Sequence, residues 1–374
     1  MRIASVARAL PEHQYAQTDI CAKLQEIWAD HPSIVNRLPQ LHANTQVETR
    51  HLALPLEEYG KPRSFGEAND AWIKTSVDLG EKALRRALEP LGLSPQDIDA
   101  IFAVSITGVA SPSLDARLAN KMRFRSDIKR VPIFGLGCVA GAAGIARAVD
   151  YVRAFPDQVA VLVSVELSSL TFQAEDHSVA NLISCGLFGD GAAAVVVLGE
   201  ERARKMEAGG LRVRDTRSIF YHDTEDVMGW RISERGFDIV LSPAVPRIAE
   251  SQVAPGLDAF LLEHGIEREE IDSWVCHPGG PKVLDGLAKG LGLGRDAVSL
   301  AWKTLAEQGN LSSTSVLMVL EETLRQGSPG EDALGMILAM GPAFCSELVL
   351  FDWSPEPVVP QCAEGSEVVA GSSR

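Results

Sequence analysis

The chain of 374 residues is 46% hydrophobic and 23% charged, the balance of a folded globular protein with a sizeable core. A net charge of -15 argues against nucleic acid or membrane insertion into an anionic surface as its main business, since both partners reward a basic face. The six cysteines are scattered, with neither a C-x-x-C pair nor zinc-ligand spacing, and there is no charged-then-apolar leader or bilayer-length apolar run, so a reduced cytoplasmic setting is expected.

In chain order, Arg2 to Ala7 predicts a strand, and Thr18 is placed to cap a helix running through Trp28. Arg50 and His51 follow in a mixed stretch, with Lys61 and Arg63 near them. Trp72 to Leu88 has the spacing of an amphipathic helix, stopped by Pro90 and Gly92. Then Asp97-Ile-Asp-Ala-Ile-Phe-Ala-Val-Ser-Ile-Thr107-Gly108 gives an acidic lead-in, a strand and a glycine turn. The phrase recurs as Glu270-Ile-Asp-Ser-Trp-Val-Cys276-His277-Pro278-Gly279-Gly280. Each copy lies the same distance beyond a helix-stopping glycine, Gly92 or Gly265, and each is followed by a helix, Leu114 to Met122 or Pro281 to Leu291. A duplicated half explains this, with the seam in the charged stretch from Glu200 to Glu207. The expected units are 1–207 and 208–353, followed by a disordered tail, 354–374, rich in Pro, Glu, Ser and Gly.

Between the copies, Val131, Ile133 and Phe134 predict a buried strand, Gly135 and Gly137 permit a sharp turn, and an Ala-rich helix follows from Val139 to Phe155. Cys138 therefore sits at a helix N-terminus, where unpartnered amide N–H groups favour a thiolate and can hold an adjacent oxyanion. Two other readings stand beside that one. An unpaired cysteine is commonly inert packing, and Gly135-x-Gly137-x-x-Ala140 also fits the dinucleotide-binding fingerprint, whose acidic partner falls late here, at Glu166. The next strand, Val159 to Val165, and the segment Gly186-Leu-Phe188-Gly-Asp190-Gly-Ala-Ala-Ala continue the strand–helix alternation of an α/β fold. Leu334 to Ala339 and Ser346 to Phe351 predict a closing hairpin through Gly341-Pro342-Ala343.

A nucleophilic cysteine needs a base for its proton and donors for the developing oxyanion. His277 ends an apolar strand before a glycine turn, and Asn310 is placed to cap the helix beginning at Leu311. Alone, each is as well explained by local structure.

Together, Cys138, His277-Pro-Gly-Gly and Gly309-Asn310-Leu-Ser-Ser occur in the order and with the neighbours found in type III polyketide synthases, the chalcone-synthase-like branch of the thiolase superfamily. The chain resembles that family from about residue 2 to 353, including the Phe188 segment and Gly341-Pro342. The resemblance implies a thiolase-like, duplicated αβαβα layered fold and a homodimer. It implies that Cys138 takes the starter from an acyl-CoA, with His277 as an imidazolium partner of the thiolate. His277 and Asn310 would then hold the thioester oxygen of malonyl-CoA as it decarboxylates, bonds that strengthen as charge develops. Phe188 matches the gatekeeper between CoA tunnel and chamber, and Arg50 a basic tunnel-mouth position for CoA. The denser basic cluster of Lys121, Arg123, Arg125, Lys129 and Arg130 is read as a solvated face.

The departures from the family bear on product. Ile106 stands where plant members carry a polar residue and where naphthalene-forming bacterial members carry a cysteine. With Thr107, Thr171 and Ile239 it would line a more apolar chamber, implying a fatty acyl starter and an alkylpyrone or alkylresorcinol-type product. CoA thioesters are substrates; no cofactor and no metal are implied. The rivals are a ketoacyl-synthase III-like enzyme making one condensation, a papain-like hydrolase, whose C-G-[SA]-C-[WY] neighbourhood is missing, and an inactive scaffold.

Overall fold

The structure, a computed structural model, describes residues 1–61, 63–330 and 332–354. The tail expected from residue 354 therefore lies, from 355 on, outside the described residues.

Among the described residues the main sheet has nine strands. It runs from Ile271–Cys276 through Leu334–Gly341, Cys345–Ser354, Gly210–Phe220, Arg2–Ala9, Asp190–Leu198, Val159–Leu167 and Ala100–Val104 to Lys129–Ile133. The two halves join where Arg2 and Ile3 pair with Arg212 and Leu211. The helix Ala140–Ala154 packs on strands of both halves, and so does the helix Ser315–Gln326. Those two helices thus form the central layer, with the sheet wrapped around them.

The strands Val159–Leu167 and Asp190–Leu198 are buried at every residue, because the helix Phe65–Leu88 covers one face and Ala140–Ala154 the other. Such strands read as continuous Val and Ala runs instead of alternating ones. The Ala-Gly texture of the central helix has a steric cause. A Cβ on Gly141 would lie 2.2 Å from the Ser313 carbonyl oxygen, so only glycine lets this helix approach the turn that follows Asn310.

The repeat survives down to its turns. Gly92 and Gly265 both take left-handed φ values, 63° and 66°. Each precedes a short 3-10 turn, Pro95–Asp97 or Arg268–Glu270, whose third residue returns its carboxylate to the capping backbone N–H. The helices Leu114–Met122 and Pro281–Leu291 form as expected.

Three expectations are corrected. Thr18 is no cap: the strand His13–Ala16 feeds straight into the helix Gln17–Ile27, whose first N–H is taken by the Glu48 carbonyl. The strand before Cys138 is not buried but is the sheet's outer edge, with Val131, Phe134 and Leu136 exposed at 37%, 52% and 38%. Much of the basic cluster is not merely solvated but paired: Lys121 with Asp78 and Glu81, Arg125 with Asp99 and Asp127, Arg130 with Asp115, and Lys129 over the Phe155 ring. No helix among the described residues is long and apolar enough to cross a membrane.

Candidate active site

Cys138 occupies the 3-10 turn Gly137–Val139 that leads into the central helix. Gly137 takes φ 56°, and a Cβ there would meet Pro342 at 2.5 Å, so the turn is pinned from the opposite half of the molecule. The Cys138 thiol donates to the Ser312 hydroxyl at 3.5 Å. Burial pushes this thiol up to about 12, opposed by the Ser312 hydrogen bond, with the Glu166 carboxyl adding to the rise.

His277 continues the strand Ile271–Cys276, its N–H donating to the Leu338 carbonyl at 2.9 Å. The ring is 2% exposed, and its Nδ1 has no protein partner. Burial pulls it down to about 3. The imidazolium–thiolate pair implied by the resemblance is therefore opposed by burial on both sides.

Asn310 reaches the same place from a third element. Its Oδ1 accepts from the Ser312 N–H at 2.8 Å and its Nδ2 donates to the Gly279 carbonyl at 3.2 Å, but it does not cap a helix from Leu311 as expected: a 3-10 turn begins at Ser312 and the α-helix at Ser315, neither with a side-chain cap. Gly279 in turn donates its N–H to the His277 carbonyl, so histidine and carboxamide are braced on one glycine turn. Cys138, His277, Asn310 and Ser312 all line one cavity of about 850 Å³.

The remaining candidates separate. Ile106, Phe188 and Ile239 line that cavity. Thr171 lines instead a smaller compartment of about 70 Å³, which shares Ser168, Phe188, Trp230 and Ile239 with the first. Thr107 lines neither; its hydroxyl donates to Glu166 at 2.9 Å and accepts the Leu167 N–H. Arg50 is not at a mouth. It is 2% exposed, donating through Nη1 to the Phe188 carbonyl at 2.7 Å and through Nε to Gln17 Oε1 at 3.1 Å. Gln17 also holds the Gly186 carbonyl at 2.6 Å, so the pair clamps the segment carrying Phe188. Among the residues lining the large cavity, the exposed Lys282 is the only lysine or arginine.

Two functional-site residues escaped the sequence reading. Ser312, at φ 48°, touches the Cys138 sulfur; the Leu311-Ser312-Ser313 run after Asn310 was the signal. Glu166, fully buried, accepts from the Ile106 N–H at 3.1 Å and from the Thr107 and Ser313 hydroxyls. Burial raises it to about 7, offset in part by those donors. Its place at the end of a buried strand was visible only as a late match to a dinucleotide fingerprint.

The N-terminal domain of chalcone and stilbene synthases matches residues 1–201, and their C-terminal domain matches residues 213–353. The 1,3,6,8-tetrahydroxynaphthalene synthase of Streptomyces peucetius subsp. caesius is 48% identical over 351 residues, covering 94% of this chain and 93% of that protein. A Bacillus subtilis (strain 168) protein described as a putative chalcone synthase is 36% identical over 358 residues, covering 94% and 98%. Among solved structures, 1,3,6,8-tetrahydroxynaphthalene synthase from Streptomyces coelicolor A3(2), a bacterial type III polyketide synthase, superposes with a TM-score of 0.88 at 33% identity, covering 94% and 99%. The chain belongs to the chalcone and stilbene synthase family, the type III polyketide synthases, acyltransferases built on a thiolase-like fold.

Proposed function

We propose that the enzyme loads an acyl group from an acyl-CoA starter onto Cys138 and extends it by decarboxylative condensation with malonyl-CoA. The observation that carries this is the convergence of Cys138, His277 and Asn310, from three separate elements, on one cavity. In loading, the Cys138 proton passes to His277 as sulfur attacks the thioester carbonyl. The bond from that carbonyl to CoA sulfur then breaks, and CoA leaves as a thiol with the proton from His277. A ring whose burial keeps it neutral can afterwards donate an N–H. With the Asn310 carboxamide it would hold the malonyl thioester oxygen while the C–C bond to the carboxylate breaks and CO2 leaves; the resulting enolate attacks the Cys138 thioester, whose C–S bond breaks to free the Cys138 thiolate and leave the extended chain on CoA.

The finer reading is a fatty acyl starter closing to an alkylpyrone or alkylresorcinol-type product. Ile106, Ile183, Met228, Leu241 and Phe344 give the large cavity hydrocarbon walls, which supports it. Lys282 replaces Arg50 as the cation placed to meet CoA phosphate. A homodimer accounts for the exposed apolar edge around Val131 and Phe134, which a second copy would cover.

The test is incubation of purified protein with malonyl-CoA and a panel of starters, with products identified by mass. Long-chain acyl-CoAs are expected to give more product than short aromatic ones. The reverse order would overturn the starter assignment, and extension only from carrier-bound malonyl would favour a ketoacyl-synthase III-like reaction.

A further inference from the structure

Arg50 is a buried cation whose hydrogen-bond partners are neutral. Its Nε and Nη1 donate to Gln17 Oε1 and to the Phe188 carbonyl. Asp190, whose charge it feels, is taken up by the Ala53 and Ser169 N–H groups and by the Ser169 hydroxyl. Burial lowers the guanidinium only to about 10, so it stays charged at neutral pH. Such a charge costs more to bury than a hydrocarbon side chain of similar volume, so its use to the enzyme is to be read from what it touches.

It touches the backbone that carries Asn310. The strand Thr49–Leu52 is docked on the end of the helix Ser299–Gln308, with the Glu48 N–H donating to the Ala306 carbonyl and the Thr49 hydroxyl to the Glu307 carbonyl, both at 2.7 Å. From that strand the Arg50 stem passes so close to Gly309 that a Cβ there would meet it at 3.1 Å, and the guanidinium ends on the Phe188 carbonyl. Phe188 and Asn310 face each other in an isolated backbone bridge. Arg50 thus holds both segments of that bridge, one through a charge-assisted hydrogen bond and the other through packing.

Asn310 has a single N–H left to aim. Of the two on its carboxamide, one goes to the Gly279 carbonyl, which leaves the other for a thioester oxygen. Its Oδ1 is fixed by the Ser312 N–H, so the side chain has little freedom to correct a shift of its backbone. A misplacement of about 1 Å in such a group can cost about a hundred-fold in rate.

We propose that Arg50 is a positioning residue for decarboxylation, its guanidinium locking the Phe188 carbonyl beside Gly309 so that the free Asn310 N–H meets the malonyl thioester oxygen. This rests on the role proposed for Asn310 above and adds what aims it. Cys138 is carried by a different turn, Gly137–Val139, so acyl loading does not depend on the lock.

The parent, Arg50→Met, Arg50→Lys, Gln17→Met and Asn310→Ala are compared in two reactions, release of labelled CO2 from malonyl-CoA and acyl loading of Cys138 followed by intact mass. Rates are taken per folded molecule, with the folded fraction from urea unfolding. Arg50→Met is expected to lower kcat for CO2 release about ten-fold, while KM for malonyl-CoA and the loading rate stay close to the parent's. Arg50→Lys, which keeps the charge but not the fork, is expected to fall between the two, and it carries the same comparison should Arg50→Met not fold. Gln17→Met breaks the same buried network while leaving the Phe188 bond in place, so it should lose stability but much less of kcat. An unchanged kcat in the Arg50 variants, a fall shared equally by loading and CO2 release, or an equal fall in Gln17→Met would each show that the guanidinium only supports the fold, and would overturn the proposal. CO2 release at the parent's rate from Asn310→Ala would instead remove the role on which it rests.

Discussion

Phe188 and Asn310 form an isolated parallel bridge, with the Asn310 N–H donating to the Leu187 carbonyl at 2.8 Å and the Gly189 N–H donating to the Asn310 carbonyl at 3.0 Å. The ring that separates the two compartments and the carboxamide that faces Cys138 are therefore carried on one joint. The Gln17–Arg50 pair holds the joint from behind through the carbonyls of Gly186 and Phe188.

Cys138→Ala is expected to abolish both acyl loading and product. The other described cysteines lie outside the large cavity lining, so none can take over the thioester. Intact-mass analysis after incubation with an acyl-CoA checks this, and an acyl adduct on the variant would remove Cys138 from its role.

Asn310→Ala and His277→Ala are each expected to slow malonyl-CoA decarboxylation by about a hundred-fold or more, the usual cost of losing one oxyanion donor. Asn310→Ala should also lose about 1 kcal/mol of stability, because its Oδ1 satisfies the Ser312 N–H at the start of a buried turn. Labelled CO2 release and urea unfolding separate the two effects. Near-normal CO2 release from both variants would sink the shared role.

Cys138, His277 and Asn310 were legible only as a set, because each stands in a short local phrase and the three phrases together match one family, whereas singly each is as well explained by local structure. Cys138 follows Gly137, His277 precedes Gly279 and Gly280, and Asn310 stands between Gly309 and the Leu311-Ser312-Ser313 run. The duplicated Gly92 and Gly265 stops were legible as a repeat. Arg50 was misplaced because its burial depends on the segment around Phe188 closing over it, more than a hundred residues away. The strand Lys129–Ile133 was read as buried because hydrophobic periodicity cannot tell an interior strand from an apolar edge. Glu166 looked like one carboxylate on a strand, and only folding brings Ile106, Thr107 and Ser313 to it.

Gly141→Ala is expected to destabilise the fold by roughly 2 kcal/mol and to impair acyl loading together. The new methyl meets the Ser313 carbonyl, which is backbone and cannot swing aside, so the central helix must move away from the Ser312 turn that Cys138 touches. Gly92→Ala provides the contrast. It strains a left-handed residue with open space around it, costing about 1 kcal/mol and leaving loading unchanged. Equal loading by the two variants would show that the helix-to-turn approach does not position the thiol.

His277 should make the parent's stability depend on pH in one direction. Its folded value lies near 3, well below the 6.5 of an unperturbed ring, so in acid the unfolded chain takes up a proton that the folded chain refuses. The stability linked to this ring is fully present above 6.5 and is lost as pH falls from 6.5 toward 3. Between about pH 7.5 and about pH 5 the parent should lose roughly 2 kcal/mol relative to His277→Gln, which has no ring to titrate. Glu166, raised to about 7, contributes with the opposite sign, since its stability is greatest in acid and declines as pH rises toward 7. It is present in both proteins and cancels from the difference. Urea unfolding of the two at both pH values gives the comparison directly. Parallel losses in parent and variant would mean that folding does not shift the His277 ring, and a parent that gains stability over the variant in acid would mean that the folded site holds the ring protonated, as an imidazolium–thiolate pair requires.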